Sequence, residues 1–196
     1  MRIWHFQVAF VVSVGIVITN TVIFMEAYMS VERSLDIIKQ ALLLEKRGKS
    51  FYSKVAEHTE HASVRDFFET MAEEEQGHIH ALLKQYKAMK ENGRFAAGSF
   101  DESADIRAAA DQVINQDIIS KINGADYESA AISAAISMEE RAVKVYSERA
   151  ESAIDPEEKK LYTWLSRWER AHLHQLLEID RIVSERIWAD NNFWPF

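Results

Sequence analysis

The sequence predicts an all-α protein, an antiparallel four-helix bundle built from two duplicated helical hairpins joined by a long crossover. Three observations carry this expectation. The 196 residues include two prolines and six glycines alongside much Ala, Glu, Leu and Ile, a composition that favours helix. Apolar residues recur with a helical period after residue 30. Finally, the chain repeats itself at an offset of 94 residues. Ala41, Glu45, Tyr52, Ser53, Ala56 and Glu57 fall on Ala135, Glu139, Tyr146, Ser147, Ala150 and Glu151. Glu75, His78, His80, Leu82 and Leu83 fall on Glu169, His172, His174, Leu176 and Leu177, with no gap between the two blocks. The repeating unit is therefore a pair of helices, at roughly 41–83 and 135–177.

In chain order, residues 1–29 form an apolar segment, 30–190 the bundle and 191–196 an aromatic tail. Residues 6–25 carry no charge. Twenty residues at a rise of about 1.5 Å cover roughly 30 Å, the hydrocarbon thickness of a bilayer. Two readings stay open. Either the run is an N-terminal membrane anchor, or the native start is Met25 or Met29 and the protein is cytoplasmic. A signal peptide fits less well, because no A-x-A cleavage site follows the run.

The first bundle helix is expected from about 31 to 58, with Leu35, Ile38, Leu42, Glu45, Tyr52 and Val55 on one stripe. A turn follows at 58–63, where Ser63 and Asp66 resemble a helix cap with an acidic first turn. The second helix, about 64–91, brings Phe67, Phe68, Met71, Glu75, His78 and Leu82 to one side and stops at Asn92-Gly93. A connector over 93–126 holds a short helix across 103–115. Asp126 caps a third helix, 127–152. Asp155-Pro156-Glu157-Glu158 opens a fourth, 156–188, with a cap, a first-turn proline and acids at the positive end of the helix dipole. The tail from Asn191 to Phe196 packs on the bundle or on a partner subunit, since an exposed aromatic cluster is costly.

The net charge of −8 argues against a nucleic-acid partner. With no cysteine among these residues, disulfides, Cys-ligated zinc and Cys-ligated iron centres are excluded within them.

The chemistry lies in two Glu-x-x-His pairs, Glu75/His78 and Glu169/His172. Residues three apart on a helix share a face. A carboxylate and an imidazole facing inward suit iron, manganese or zinc better than magnesium or calcium. The repeat then sorts the neighbouring acids. Glu73, Glu74 and Glu75 have Arg167, Trp168 and Glu169 as twins, so only Glu75 has a repeated carboxylate. Glu139 and Glu140 have Glu45 and Lys46, which selects Glu139. Glu45 and Glu75 are equidistant from the first turn, as are Glu139 and Glu169 from the second, so each antiparallel hairpin sets them side by side. Two hairpins thus bring four Glu and two His to one level. That set resembles the ligands of ferritin-like dinuclear carboxylate proteins, one Glu from each of two helices and a Glu-x-x-His from each of the others.

Ala41-x3-Glu45-x6-Tyr52 with Glu75-x2-His78, and Ala135-x3-Glu139-x6-Tyr146 with Glu169-x2-His172, resemble the rubrerythrin-like branch of the ferritin-like superfamily over nearly everything after residue 30. The resemblance implies a non-haem di-iron site, with manganese or zinc as other occupants, that reduces hydrogen peroxide. Its alternatives are a ferroxidase or iron-handling protein using dioxygen, and a non-catalytic metal-binding protein. It also implies a homodimer. Rubrerythrins proper carry a rubredoxin domain with four cysteines and a further Glu one turn after the third-helix ligand. This chain has no cysteine and has Ala142 at that position, so its electrons are expected from a separate donor.

Glu45 and Glu139 are candidates to bridge the metals, with bridging and terminal roles open. Tyr52 and Tyr146 lie two turns past them, either as core aromatics or as phenols donating to a ligand carboxylate or the oxygen pocket. The twins Gly48 and Ala142 leave room over the metals. His80 and His174 lie about 200° around the helix from the ligand histidines, which reads as surface or dimer contact. Glu57 and Glu151 read as solvated, and Trp164, Trp168 and Trp188 as core or interface aromatics.

Overall fold

The computed structural model describes residues 4–97, 118, 121, 122 and 127–190, with side chains described for 25, 28–97, 118, 121, 122 and 127–189. Four helices and no strands occur among these residues: α1 (Trp4–His58), α2 (Ala62–Asn92), α3 (Tyr127–Ser152) and α4 (Pro156–Asp190). The chain is an all-α four-helix bundle. α1 packs chiefly on α2 and α3 on α4, which are the two hairpins of the repeat.

The helix ends follow local chemistry. Gly93 adopts φ 65°, a left-handed conformation open to glycine, and its N–H donates to the Met89 carbonyl at 2.9 Å, closing α2. Asp155 Oδ1 accepts from the Glu157 and Glu158 amides at 2.8 and 3.2 Å, capping α4. Ser63 does not cap α2. The helix begins earlier, with extended His61 at the cap position and no side-chain cap bond, because the Arg65 amide already donates to the His61 carbonyl at 2.9 Å.

α1 also differs from expectation. It runs unbroken from Trp4 instead of starting afresh near 31. No proline or glycine lies between Gly15 and Gly48 to interrupt it. The side chains of residues 6–24, which carry the anchor expectation, lie outside those described. So do the connector helix across 103–115, the Asp126 cap and the tail 191–196. Among the described residues, no helix is long and apolar enough to cross a membrane.

The core is split into two apolar clusters. One draws Val55 from α1, Phe67, Phe68 and Met71 from α2, Ile132 from α3 and Leu176 and Ile179 from α4. The other draws Leu35, Ile38 and Leu42 from α1, Ile79 and Leu82 from α2, Ala142 from α3 and Leu161 and Leu165 from α4. Each fully buried large apolar side chain contributes about 1.5–3 kcal/mol. On every helix the two sets leave a gap, and the repeated Glu and His residues fill it. The bundle therefore holds a polar layer between two oily plugs.

Candidate metal centre

Glu45, Glu75, His78, Glu139, Glu169 and His172 are all buried, none more than 2 % exposed. α1 and α3 each supply one Glu, and α2 and α4 each supply a Glu-x-x-His. Their ligand atoms gather in two overlapping groups. Glu45, Glu75, His78 and Glu169 form one, and Glu75, Glu139, Glu169 and His172 the other. Glu75 and Glu169 belong to both. The shared carboxylates thus come from the Glu-x-x-His pairs, not from Glu45 and Glu139, each of which reaches one group only.

Each imidazole turns Nδ1 toward the carboxylates. His78 Nδ1 is 3.1 Å from Glu45 Oε2, 3.2 Å from Glu169 Oε1 and 3.4 Å from Glu75 Oε2. His172 Nδ1 is 3.5 Å from Glu169 Oε2, 3.6 Å from Glu75 Oε1 and 4.0 Å from Glu139 Oε1. The opposite nitrogens differ. His172 Nε2 lies 2.9 Å from Glu74 Oε2, whereas His78 Nε2 has no hydrogen-bond partner among the described residues. Trp164 and Trp168 pack edgewise on the His78 ring, at centroid distances of 5.4 and 5.9 Å.

The tyrosines do more than fill the core. Tyr52 donates to Glu139 Oε1 and Tyr146 donates to Glu45 Oε1, so each phenol crosses to the carboxylate of the other repeat. Burial, and then the charge of the Glu it touches, push both phenols well above their usual range. They stay protonated and serve as donors.

Burial, reinforced by the Glu169 charge, raises the carboxyls of Glu45 and Glu139 well above the usual carboxylate range. Burial acts the same way on Glu75 and Glu169, but it is outweighed. Hydrogen bonds to Glu45, His172 and His78 hold Glu75 low, and the His78 charge with hydrogen bonds to both histidines holds Glu169 low. Burial lowers the histidines, yet carboxylate contacts, led by Glu169, lift both well above the ordinary imidazole value. Without metal the shifts run in opposite directions, with Glu45, Glu139 and both histidines favouring protonation and Glu75 and Glu169 favouring ionisation, so charges of both signs offset one another in the layer. Four carboxylates and two imidazoles in an apolar core would be expensive without such compensation.

Above the carboxylates lies a cavity of about 240 Å³, bordered by Leu44, Gly48, Met138 and Ala142 and by Glu45, Glu75, Glu139 and Glu169. An added Cβ on Gly48 would sit 3.2 Å from Glu75 Cδ. Buried Glu169 Oε1 and His172 Nδ1 have imidazole or carboxylate neighbours at 3.2 to 3.6 Å but complete no hydrogen bond of standard geometry among the described residues. Buried polar atoms left short of a bond in this way, in a donor set of nitrogen and oxygen, fit a transition-metal site. The other twins lie away from the layer: His80, His174, Glu57 and Glu151 are exposed.

An all-α bundle with a buried carboxylate–histidine layer defines the class, a helical bundle with a metal-binding site in its core. The rubrerythrin family profile matches residues 36–179, and the chain belongs to the rubrerythrin family. No curated protein and no solved structure is significantly similar to it.

Two features of the site escaped sequence reasoning. Glu74 has no carboxylate twin in the repeat, where Trp168 stands opposite it, yet it touches His172. Trp164 and Trp168 wall the His78 ring. The only advance signal for either was the broken symmetry at 74 and 168.

Proposed function

We propose that the protein is a di-iron oxidoreductase that reduces hydrogen peroxide with electrons from a separate donor. The observation that carries this reading is the pair of overlapping ligand groups sharing Glu75 and Glu169, set directly beneath a cavity large enough for peroxide. Glu45 and His78 would help hold one iron and Glu139 and His172 the other, with Glu75 and Glu169 within reach of both. Two ferrous ions in these positions would supply the two electrons that reduce peroxide to water. Tyr52 and Tyr146 fix the orientation of Glu139 and Glu45 and, kept protonated, do not act as bases. Leu44, Met138, Gly48 and Ala142 give the approach apolar or small walls, and Arg47, Ser137 and Arg141 line it as well. With no cysteine in these residues, re-reduction would fall to a donor outside them.

Stopped-flow oxidation of the anaerobically loaded diferrous protein tests the reading. Rapid oxidation by peroxide, with slow oxidation by dioxygen, is expected. The reverse order, with repeated Fe(II) turnover, makes the protein a ferroxidase. Inertness to both leaves metal binding alone. Metal content must be measured on the same sample, because zinc outcompetes ferrous iron for such donors.

A further inference from the structure

We propose that the two metal positions are unequal, and that Glu74 makes the His172 half the tighter one. This rests on the dinuclear reading above and goes beyond it. The repeat places the residue preceding each Glu-x-x-His glutamate beside the other hairpin's histidine. On one side that residue is Glu74, whose Oε2 lies 2.9 Å from His172 Nε2. A carboxylate side chain only accepts hydrogen bonds, so a metal-bound His172 would keep its proton on Nε2 and offer the Nδ1 lone pair to the metal. On the other side the twin position is Trp168.

Trp168 cannot do what Glu74 does. Its only polar group is an N–H donor. With Nδ1 turned to the carboxylates, His78 also presents an N–H from Nε2. His78 Nε2 and Trp168 Nε1 are both buried with no hydrogen-bond partner among the described residues, and the two rings meet at 5.9 Å. Trp168 therefore offers the His78 ring an edge contact and no acceptor for its outer N–H. A carboxylate held on the outer nitrogen of a ligating histidine raises its basicity and fixes its ring, and removing such a partner typically weakens metal affinity by about 10–100-fold. The broken repeat therefore ranks the positions. The Glu75–Glu139–Glu169–His172 group fills first, and the Glu45–Glu75–His78–Glu169 group fills second and releases its ion first. Glu74 touches the ligand and not the metal group, so it is a positioning residue.

Cobalt(II) titration of the metal-free full-length chain, followed by calorimetry and by the cobalt visible spectrum, tests this. Two ions are expected to bind in two steps separated by about tenfold or more. His172→Ala should abolish the tight step and His78→Ala the weak one. Glu74→Ala should weaken the tight step by about 10–100-fold, with unchanged helical circular dichroism. Trp168→Glu should tighten the weak step, a gain that structural damage does not produce. Two ions bound with equal affinity, a tight step insensitive to Glu74→Ala, or a tight step lost with His78 instead of His172 would overturn the ranking alone. Saturation at fewer than two ions would overturn both the ranking and the dinuclear reading.

Discussion

The phenol of Tyr52 on α1 donates to the carboxylate of Glu139 on α3, 87 residues away and in the other repeat. Tyr146 returns the bond to Glu45. Each hairpin thus orients the single-group glutamate of its partner, and the two repeats are tied together at the level of the site. A buried acceptor left without its donor costs about 1–3 kcal/mol. Tyr52→Phe and Tyr146→Phe should each lower unfolding stability by about that amount at neutral pH, where both phenols are protonated. Denaturant midpoints measure this directly. Midpoints equal to wild type would mean that neither bond bears on the fold.

Glu139 should separate folding from metal binding. Burial and the Glu169 charge push its carboxyl well above the usual carboxylate range in the metal-free layer, so Glu139→Gln removes little and keeps an oxygen for Tyr52. The metal-free variant should unfold within about 1 kcal/mol of wild type. Its response to metal should differ. A ligand that binds only the folded state at 100 times its Kd stabilises by about 2.7 kcal/mol, and the variant should lose much of that gain. Melting curves with and without anaerobic Fe(II) give both numbers. A variant that collapses without metal would contradict the charge assignment.

The hairpins, and the six Glu and His residues that gather in the buried layer, were legible because the chain is duplicated. A repeat states which positions must play equivalent roles, and equidistance from each turn states which lie side by side. Depth was not legible. Whether Glu45 or Glu75 reaches both ligand groups depends on how far each helix is rotated toward the bundle axis. Sequence gives the level of a residue along a helix far better than that rotation. The symmetry that found the ligands also hid Glu74, because comparing twins rewards repeated roles and discards a residue that serves one half only. Continuity of α1 was missed for a different reason. A change from uniformly apolar to amphipathic sequence at residue 30 marks a change of surroundings, and the backbone registers only breakers, of which there are none.

Charge balance sets the pH behaviour. Glu45, Glu139, His78 and His172 have folded values above their unfolded ones, near 4.5 for the acids and 6.5 for the histidines. Their contribution is complete below those unfolded values and is lost as pH rises through the folded ones. Glu75 and Glu169 are depressed, so theirs is present above about 4.5 and lost as pH falls through the folded values. The metal-free protein should therefore lose stability as pH rises above about 4.5, where Glu45 and Glu139 begin to give up their contribution, and further above about 6.5, where the histidines follow. A ligating imidazole or carboxylate must give up its proton, so metal uptake should release protons and affinity should climb with pH. Calorimetry in buffers of different ionisation enthalpy detects the release. Uptake without any proton release would refute the raised values of these four groups.

Gly48 sits mid-helix, where glycine costs about 1 kcal/mol relative to alanine, and the cavity over the carboxylates is what that cost leaves open. A Cβ here would lie 3.2 Å from Glu75 Cδ, closer than comfortable packing. Gly48→Ala should therefore press on Glu75, recover part of the helix propensity and slow oxidation modestly. Gly48→Leu should fill the space between Gly48 and Ala142. Metal uptake should keep its stoichiometry, because every ligand remains. Oxidation of the diferrous protein by peroxide should fall by about tenfold or more, a barrier increase of about 1.4 kcal/mol. Ligand loss would lower metal content and rate together, whereas blocked access lowers the rate alone. If Gly48→Leu turns over peroxide at the wild-type rate with a full complement of metal, peroxide does not approach through this cavity.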